Sequence, residues 1–207
     1  MNKVLDCFDH AFVINLPDEI QRLAETRREL TRHDIPFETL RGVEIHSYFS
    51  DKKNGDLGCM LAHLHAVREA RRRGYESILI VEDDLVLLPD FRDLWNDVIP
   101  QMPGLRYDLF YFYDWMTPKP LARPIRVHSI ATCVCTHFYV VHRCFYDKFS
   151  ALVEAQLSAE APNALDRLFH APEVNVVATT YNLAGQRPAR SRITRDFRNQ
   201  ACFSGGS

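Results

Sequence analysis

Short apolar runs alternate along this chain with stretches of helical spacing. Residues 11–16 (AFVINL) form a β-branched run closed by Pro17, the pattern of a buried strand. Over 18–32, Ile20, Leu23, Ala24, Arg27 and Leu30 step at helical spacing, and Pro17 and Asp18 suit a first turn. Residues 35–40 hold Pro36 and read as an edge strand. The polar stretch 46–58 reads as a loop. Helical spacing resumes over 59–73 through Leu61, Leu64, Val67 and Ala70, until Gly74 stops it. Residues 77–81 form a second buried strand and 91–99 a short helix. Strands follow over 108–113 and 131–141, helices over 145–157 and 164–170, and a last strand over 175–181. This alternation has no break in composition. It predicts one α/β domain with a mostly parallel sheet flanked by helices. Ligands of such sheets sit at the carboxyl ends of the strands, which points to the residues after Leu16, Val81 and Tyr113.

Charge and composition narrow the partners. Lys and Arg total 25 against 27 Asp and Glu, so the chain lacks the basic excess of a nucleic-acid binder. The most apolar stretch, 78–88, is interrupted by Glu82, Asp83 and Asp84, well short of the roughly 20 apolar residues of a membrane span. Asp6 and Asp9 interrupt the start, which is unlike a secretory leader. The six scattered cysteines then read as reduced thiols of a cytoplasmic protein. Cys133, Cys135, His137, His142 and Cys144 lack the paired spacing of a zinc knuckle.

The acids that end the second strand carry the chemistry. In extended backbone, residues two apart share a face, so Glu82 and Asp84 are expected to point together and Asp83 away. Two carboxylates on one face invite a cation, and Mg²⁺ or Mn²⁺ takes oxygen ligands from carboxylates and phosphates. The segment ILIVEDD followed by YDLFYFYD is also similar to a response-regulator receiver with Asp114 as phosphoacceptor. That fold needs a helix, a strand and a second helix between the acids and the acceptor, and the interval here has too few elements.

A second resemblance covers most of the chain, with its motifs in order. Phe12-Val13-Ile14-Asn15-Leu16 with Arg22 resembles the opening segment of glycosyltransferase family 25, the lipooligosaccharide galactosyltransferase-like enzymes. Ile35-Pro36-Phe37-Glu38 resembles its second strand, and Gly58-Cys59-Met60-Leu61-Ala62-His63 its "GC-L-SH" helix start. Ile80-Val81-Glu82-Asp83-Asp84 with Pro89 and Phe91 resembles its "LEDD…P-F" segment. The resemblance implies a GT-A-like, Rossmann-type single domain over 1–186. It implies an inverting transfer of a sugar, galactose from UDP-galactose in known members, to a glycan hydroxyl that can be lipid-linked.

Site roles follow from it. Asp84 is expected to ligate the metal, assisted by Glu82. Asn15, Leu16, Arg22, Glu82 and Asp83 fall on the nucleotide side, and Gly58, at an expected helix start, suits phosphate. Asp166 resembles the family's "P-(I/V)-D" segment and is the first choice of general base, with Asp114 second. His63 is a candidate to polarise a donor or acceptor oxygen. Gln186 and Ser191 resemble the family's "Q…S" tail. The arginines of a basic tail over 187–207, Arg190 among them, are candidates to grip the diphosphate as a lid or to meet an anionic lipid surface. Ala62, Ala66 and His137 depart from the family pattern. The alternative they carry is a non-catalytic binder of a nucleotide sugar or glycan.

Overall fold

A computed structural model describes residues 7–46, 51–114, 120–159, 163–187, 189–190 and 197–198. Its strands are β1 (His10–Asn15), β2 (Glu38–Arg41), β3 (Ser77–Glu82), β4 (Leu85–Leu87), β5 (Leu109–Tyr111), β6 (Val127–Ile130), β7 (Phe138–His142), β8 (Val176–Thr179), β9 (Ala184–Gln186), β10 (Ala189–Arg190) and β11 (Phe197–Arg198). Its helices are α1 (Ile20–Arg32), α2 (Asp51–Arg73), α3 (Phe91–Val98), α4 (Tyr146–Leu157) and α5 (Leu165–Leu168).

The main sheet has the order β2-β1-β3-β7-β5-β8-β6. β1, β2, β3, β5 and β8 run one way, and β7 and β6 run against them. The sheet is therefore mixed but mostly parallel. Two small antiparallel ribbons, β4 with β9 and β10 with β11, complete the described strands.

Alternation along β5 and β7 divides the aromatic core between two faces. Phe110, Phe112 and Phe138 meet Trp95 and Phe91 of α3, and Phe91 in turn meets His33 at the end of α1. On the opposite face, Tyr139 meets His63 of α2 and Phe169 after α5, and Phe169 meets Phe149 of α4. Helices thus cover both sides of the sheet. β3, with Ile78 to Val81 fully buried, runs between the layers and delivers the acid triplet to its carboxyl end.

The structure corrects two sequence expectations and adds short strands that the pattern does not announce. α2 begins at Asp51, so most of the expected 46–58 loop is helix. Its first turns carry Asp51, Lys52, Lys53, Asn54 and Asp56, which hide the apolar period that marks the rest of the helix. The 131–141 strand begins only at Phe138, because Cys135 takes a positive φ of 66° that extended backbone does not contain. β4, β6 and β9 have three or four residues each, too few for a readable alternation.

Candidate functional site

The end of β3 sends its acids in different directions. Ile80 lies opposite Tyr139 in the sheet, and Glu82, two residues on, shares that face. Its carboxylate accepts from Thr136 Oγ1 at 2.6 Å and lies 3.3 Å from His63 Nε2. Asp83 takes the other face, where Asn15 Nδ2 donates to its Oδ2 at 2.7 Å and Arg22 Nη2 lies 2.5 Å from its Oδ1. Thr26 of α1 donates to the Asp83 carbonyl at 2.8 Å.

The strand ends at Glu82 and the chain turns through Asp83 and Asp84 into β4. Strict alternation therefore stops before Asp84, which lies within reach of the Glu82 charge as well as of Asp83. Asp83 and Asp84 meet on Arg22, whose Nη2 is 3.4 Å from Asp84 Oδ2. The β4–β9 ribbon brings Gln186 opposite Leu85, with Gln186 Nε2 3.4 Å and 3.5 Å from the two Asp84 oxygens.

Crowding of these charges sets their protonation. Burial and then the Glu82 charge push the Asp84 carboxyl up to about 7. Burial also raises Asp83, against the pull of Arg22 and Asn15. Glu82 moves the other way: burial opposes its charge, but His63 and Thr136 outweigh burial and hold it below the usual carboxylate range. The three acids and Arg22 leave a formal charge of −2 at the carboxyl edge of the sheet.

Arg187 closes the same edge. Its backbone N–H donates to Asp84 O at 2.6 Å and its guanidinium to Leu85 O at 2.8 Å, and it pairs with Glu25 of α1 at 3.0 Å.

Several expected residues gather here and others do not. Asn15, Arg22, Asp83, Asp84 and Gln186 form one continuous set of contacts, and Glu82, partnered by His63 and Thr136, bears on Arg22 and Asp84 by its charge. Leu16 packs over Gly42, whose N–H donates to Asn15 O at 2.8 Å. Gly58 is not at a helix start. It lies beyond the first turn of α2, where a side chain would put Cβ 2.3 Å from Val43 O, so its role is close packing rather than phosphate binding.

His63 is 1% exposed and is oriented by Tyr139, whose hydroxyl lies 2.8 Å from Nδ1. Asp166, in the first turn of α5, accepts from the Cys135 N–H at 3.0 Å, and its charge bears on the Cys59 thiol of α2. Asp114 belongs to a different grouping: it faces His128 Nε2 at 3.1 Å, and its N–H donates to Asn182 Oδ1. Arg190 lies in β10, and its side chain, like the whole of Ser191, Arg192 and Arg195, falls outside the described residues.

Sequence reading missed Thr136 and Cys59. Thr136 carries no local signal. Cys59 does, because it stands one helical turn before His63. Among the described residues no cysteine pair forms a disulfide, and the grouping with metal-ligand spacing is Cys59, His63 and Glu82, not the 133–144 cluster. Among those residues no helix is long and apolar enough to cross a membrane.

Comparison with known proteins bears on the fold and the family. None of the curated proteins matches the chain in sequence. Among solved structures, a glycosyltransferase involved in the glycosylation of the major capsid of PBCV-1 is similar over 90% of this chain and 95% of its own, at 12% identity and a TM-score of 0.54. A197 from STIV is similar over 92% of this chain and 93% of its own, at 15% identity and a TM-score of 0.50. At such identities the likeness is one of fold, and the fold is GT-A-like. The model of glycosyltransferase family 25, an LPS biosynthesis protein family, matches residues 8–120, more than half of the chain. The protein belongs to glycosyltransferase family 25.

Proposed function

We propose that this glycosyltransferase moves a hexose, galactose by family resemblance, from a UDP-sugar to a hydroxyl of a cell-surface glycan such as lipooligosaccharide, with inversion. The observation that carries the reading is the acid triplet at the end of β3, left at a formal −2 by a single arginine. A divalent cation neutralises that count. The donor set suits Mn²⁺ or Mg²⁺, which prefer oxygen: Asp84 offers a carboxylate, and beside it the amide oxygen of Gln186 is buried without a hydrogen-bond partner. Asp84 is the direct ligand in this reading, with Glu82 assisting. When bound, the ion supplies Lewis-acid stabilisation of the leaving diphosphate.

The chain's own groups do the rest. Asn15 and Arg22 hold Asp83 in place, and with Leu16 they border the nucleotide. Arg190, in the basic tail over 187–207, meets the diphosphate. Asp166 accepts the proton of the acceptor hydroxyl. One of its oxygens is fixed by the Cys135 N–H, and the other takes no hydrogen bond among the described residues. Asp114, paired with His128, is the second choice for that role. The enzyme works in the cytoplasm, at most peripherally on the membrane that carries its acceptor.

A screen of UDP-sugars, reading UDP release with Mn²⁺ present, tests the proposal. One donor is expected to release UDP, Asp84→Ala to abolish release, and Asp166→Asn to lower it about 100-fold or more. Wild-type release in Asp84→Ala, or none from any UDP-sugar, overturns it.

A further inference from the structure

We infer that Cys59, His63 and Glu82 form a second metal site, built for a zinc-class divalent ion, which borders the oxygen site at Asp84 and shares Glu82 with it. The three ligand atoms, one thiol sulfur, one imidazole nitrogen and one carboxylate oxygen, all lie within 4.8 Å of one another. Two rigid elements hold them. Cys59 and His63 are four residues apart on one face of α2. Glu82 is the last residue of β3, and strand alternation aims it at that helix.

His63 provides the independent mark of a ligand. The residue is 1% exposed, yet its Nε2 makes no hydrogen bond. The Glu82 carboxylate stands at ion-pair distance from it, with Oε1 3.3 Å from Nε2. That spacing matches the edge of a tetrahedron with bonds of about 2.0 Å, which is roughly 3.3 Å, the geometry of Zn²⁺ with nitrogen and oxygen donors.

The surroundings are those of a metal histidine. The other ring nitrogen, Nδ1, lies 2.8 Å from Tyr139 OH, and the two rings stack at 5.8 Å, so the imidazole is oriented with Nε2 toward the sulfur and carboxylate. Thr136 Oγ1 donates to Glu82 Oε1 at 2.6 Å and lies 3.9 Å from Cys59 Sγ, bracing both ligands from β7's approach.

Charge and softness select the ion. A thiolate and a carboxylate together balance a divalent cation, and the thiol proton leaves to solvent as the sulfur–metal bond forms. Sulfur and imidazole donors favour Zn²⁺ over Mg²⁺ or Mn²⁺. Three protein ligands leave a fourth position open to water, and the Glu82 side chain, 26% exposed, gives the ion a way in. The site does not depend on sugar transfer, since a chain that releases no UDP still binds the ion.

The test uses the full chain, stripped with a chelator and titrated with Co²⁺ as a spectroscopic stand-in. A thiolate-to-cobalt charge-transfer band is expected in the near ultraviolet, saturating at about one equivalent and displaced by Zn²⁺. Cys59→Ser removes the band, Tyr139→Phe weakens binding about tenfold, and Asp84→Asn keeps the band, which separates this site from the oxygen site. As a check that needs no variant, Zn²⁺ slows alkylation of Cys59 in the wild-type chain, read by peptide mass, and leaves exposed Cys144 unchanged. No band in the wild type, a band that survives Cys59→Ser, or equal alkylation of Cys59 with and without Zn²⁺ overturns the inference.

Discussion

Arg22→Met removes the cation that touches both Asp83 and Asp84 while keeping most of the side-chain volume. Arg22 Nη2 lies 2.5 Å from Asp83 Oδ1 and 3.4 Å from Asp84 Oδ2. At an effective dielectric of about 20 those contacts are worth about 7 and about 5 kcal/mol before desolvation. Withdrawing the three charged groups from water offsets much of that, and breaking a buried pair costs about 3–5 kcal/mol net. Asp83, 7% exposed, is then left with Asn15 as its side-chain partner. Against a typical domain stability of about 5–15 kcal/mol, the variant folds but unfolds at clearly lower urea. The assay is urea unfolding followed by circular dichroism near neutral pH, with and without Mn²⁺. An ion at the acids replaces the missing positive charge, so Mn²⁺ restores more stability to Arg22→Met than it adds to the wild type. A loss below about 1 kcal/mol refutes the pairing argument. An equal Mn²⁺ effect in both proteins refutes the charge count.

Other predictions concern packing, protons and the base. Gly58→Ala drives a methyl to 2.3 Å from Val43 O; the strain of about 1–3 kcal/mol exceeds the roughly 1 kcal/mol gained in helix propensity, so a lower Tm is expected and a higher one contradicts the contact. His33 is buried against Phe91 with Nε2 unpaired, and burial lowers its pKa below the ordinary 6.5. Below that pH the unfolded chain takes up a proton that the folded chain refuses, so stability falls as pH drops from 6.5 to the folded value, by at most about 1.4 kcal/mol per pH unit. His33→Leu flattens that part of the urea-midpoint profile; an unchanged slope shows that another group carries it. In steady-state assays, Asp114→Asn lowers turnover less than Asp166→Asn, and the reverse order exchanges the two roles.

Much of the architecture was legible because burial imposes period. The runs 11–16 and 77–81 are apolar because β1 and β3 are covered on both faces, and both became strands within a residue or two of their expected bounds. Where polar residues begin a helix, as at the first turns of α2, the period is masked, and the 46–58 segment read as loop. The acid triplet was visible as a cluster, but its directions were not. They depend on the turn at Asp83–Asp84 and on the β4–β9 ribbon, a pairing of residues about a hundred positions apart. Gly58 illustrates the same limit: a glycine beside a helix suggests an anion site, and only the approach of Val43 O reveals that it is a packing residue. Thr136 reaches Glu82 across 54 positions, a contact that no local spacing announces.

Thermal unfolding of the full chain with UDP alone, Mn²⁺ alone and both together addresses the joint metal–nucleotide site most directly. A ligand held at about 100 times its Kd adds about 2.7 kcal/mol. With Asp84 and Glu82 as the residues that would hold the ion, whose charge would favour the diphosphate, the two together raise Tm by more than the sum of their separate effects, and Asp84→Asn removes the excess. A combined shift no larger than that sum contradicts the account.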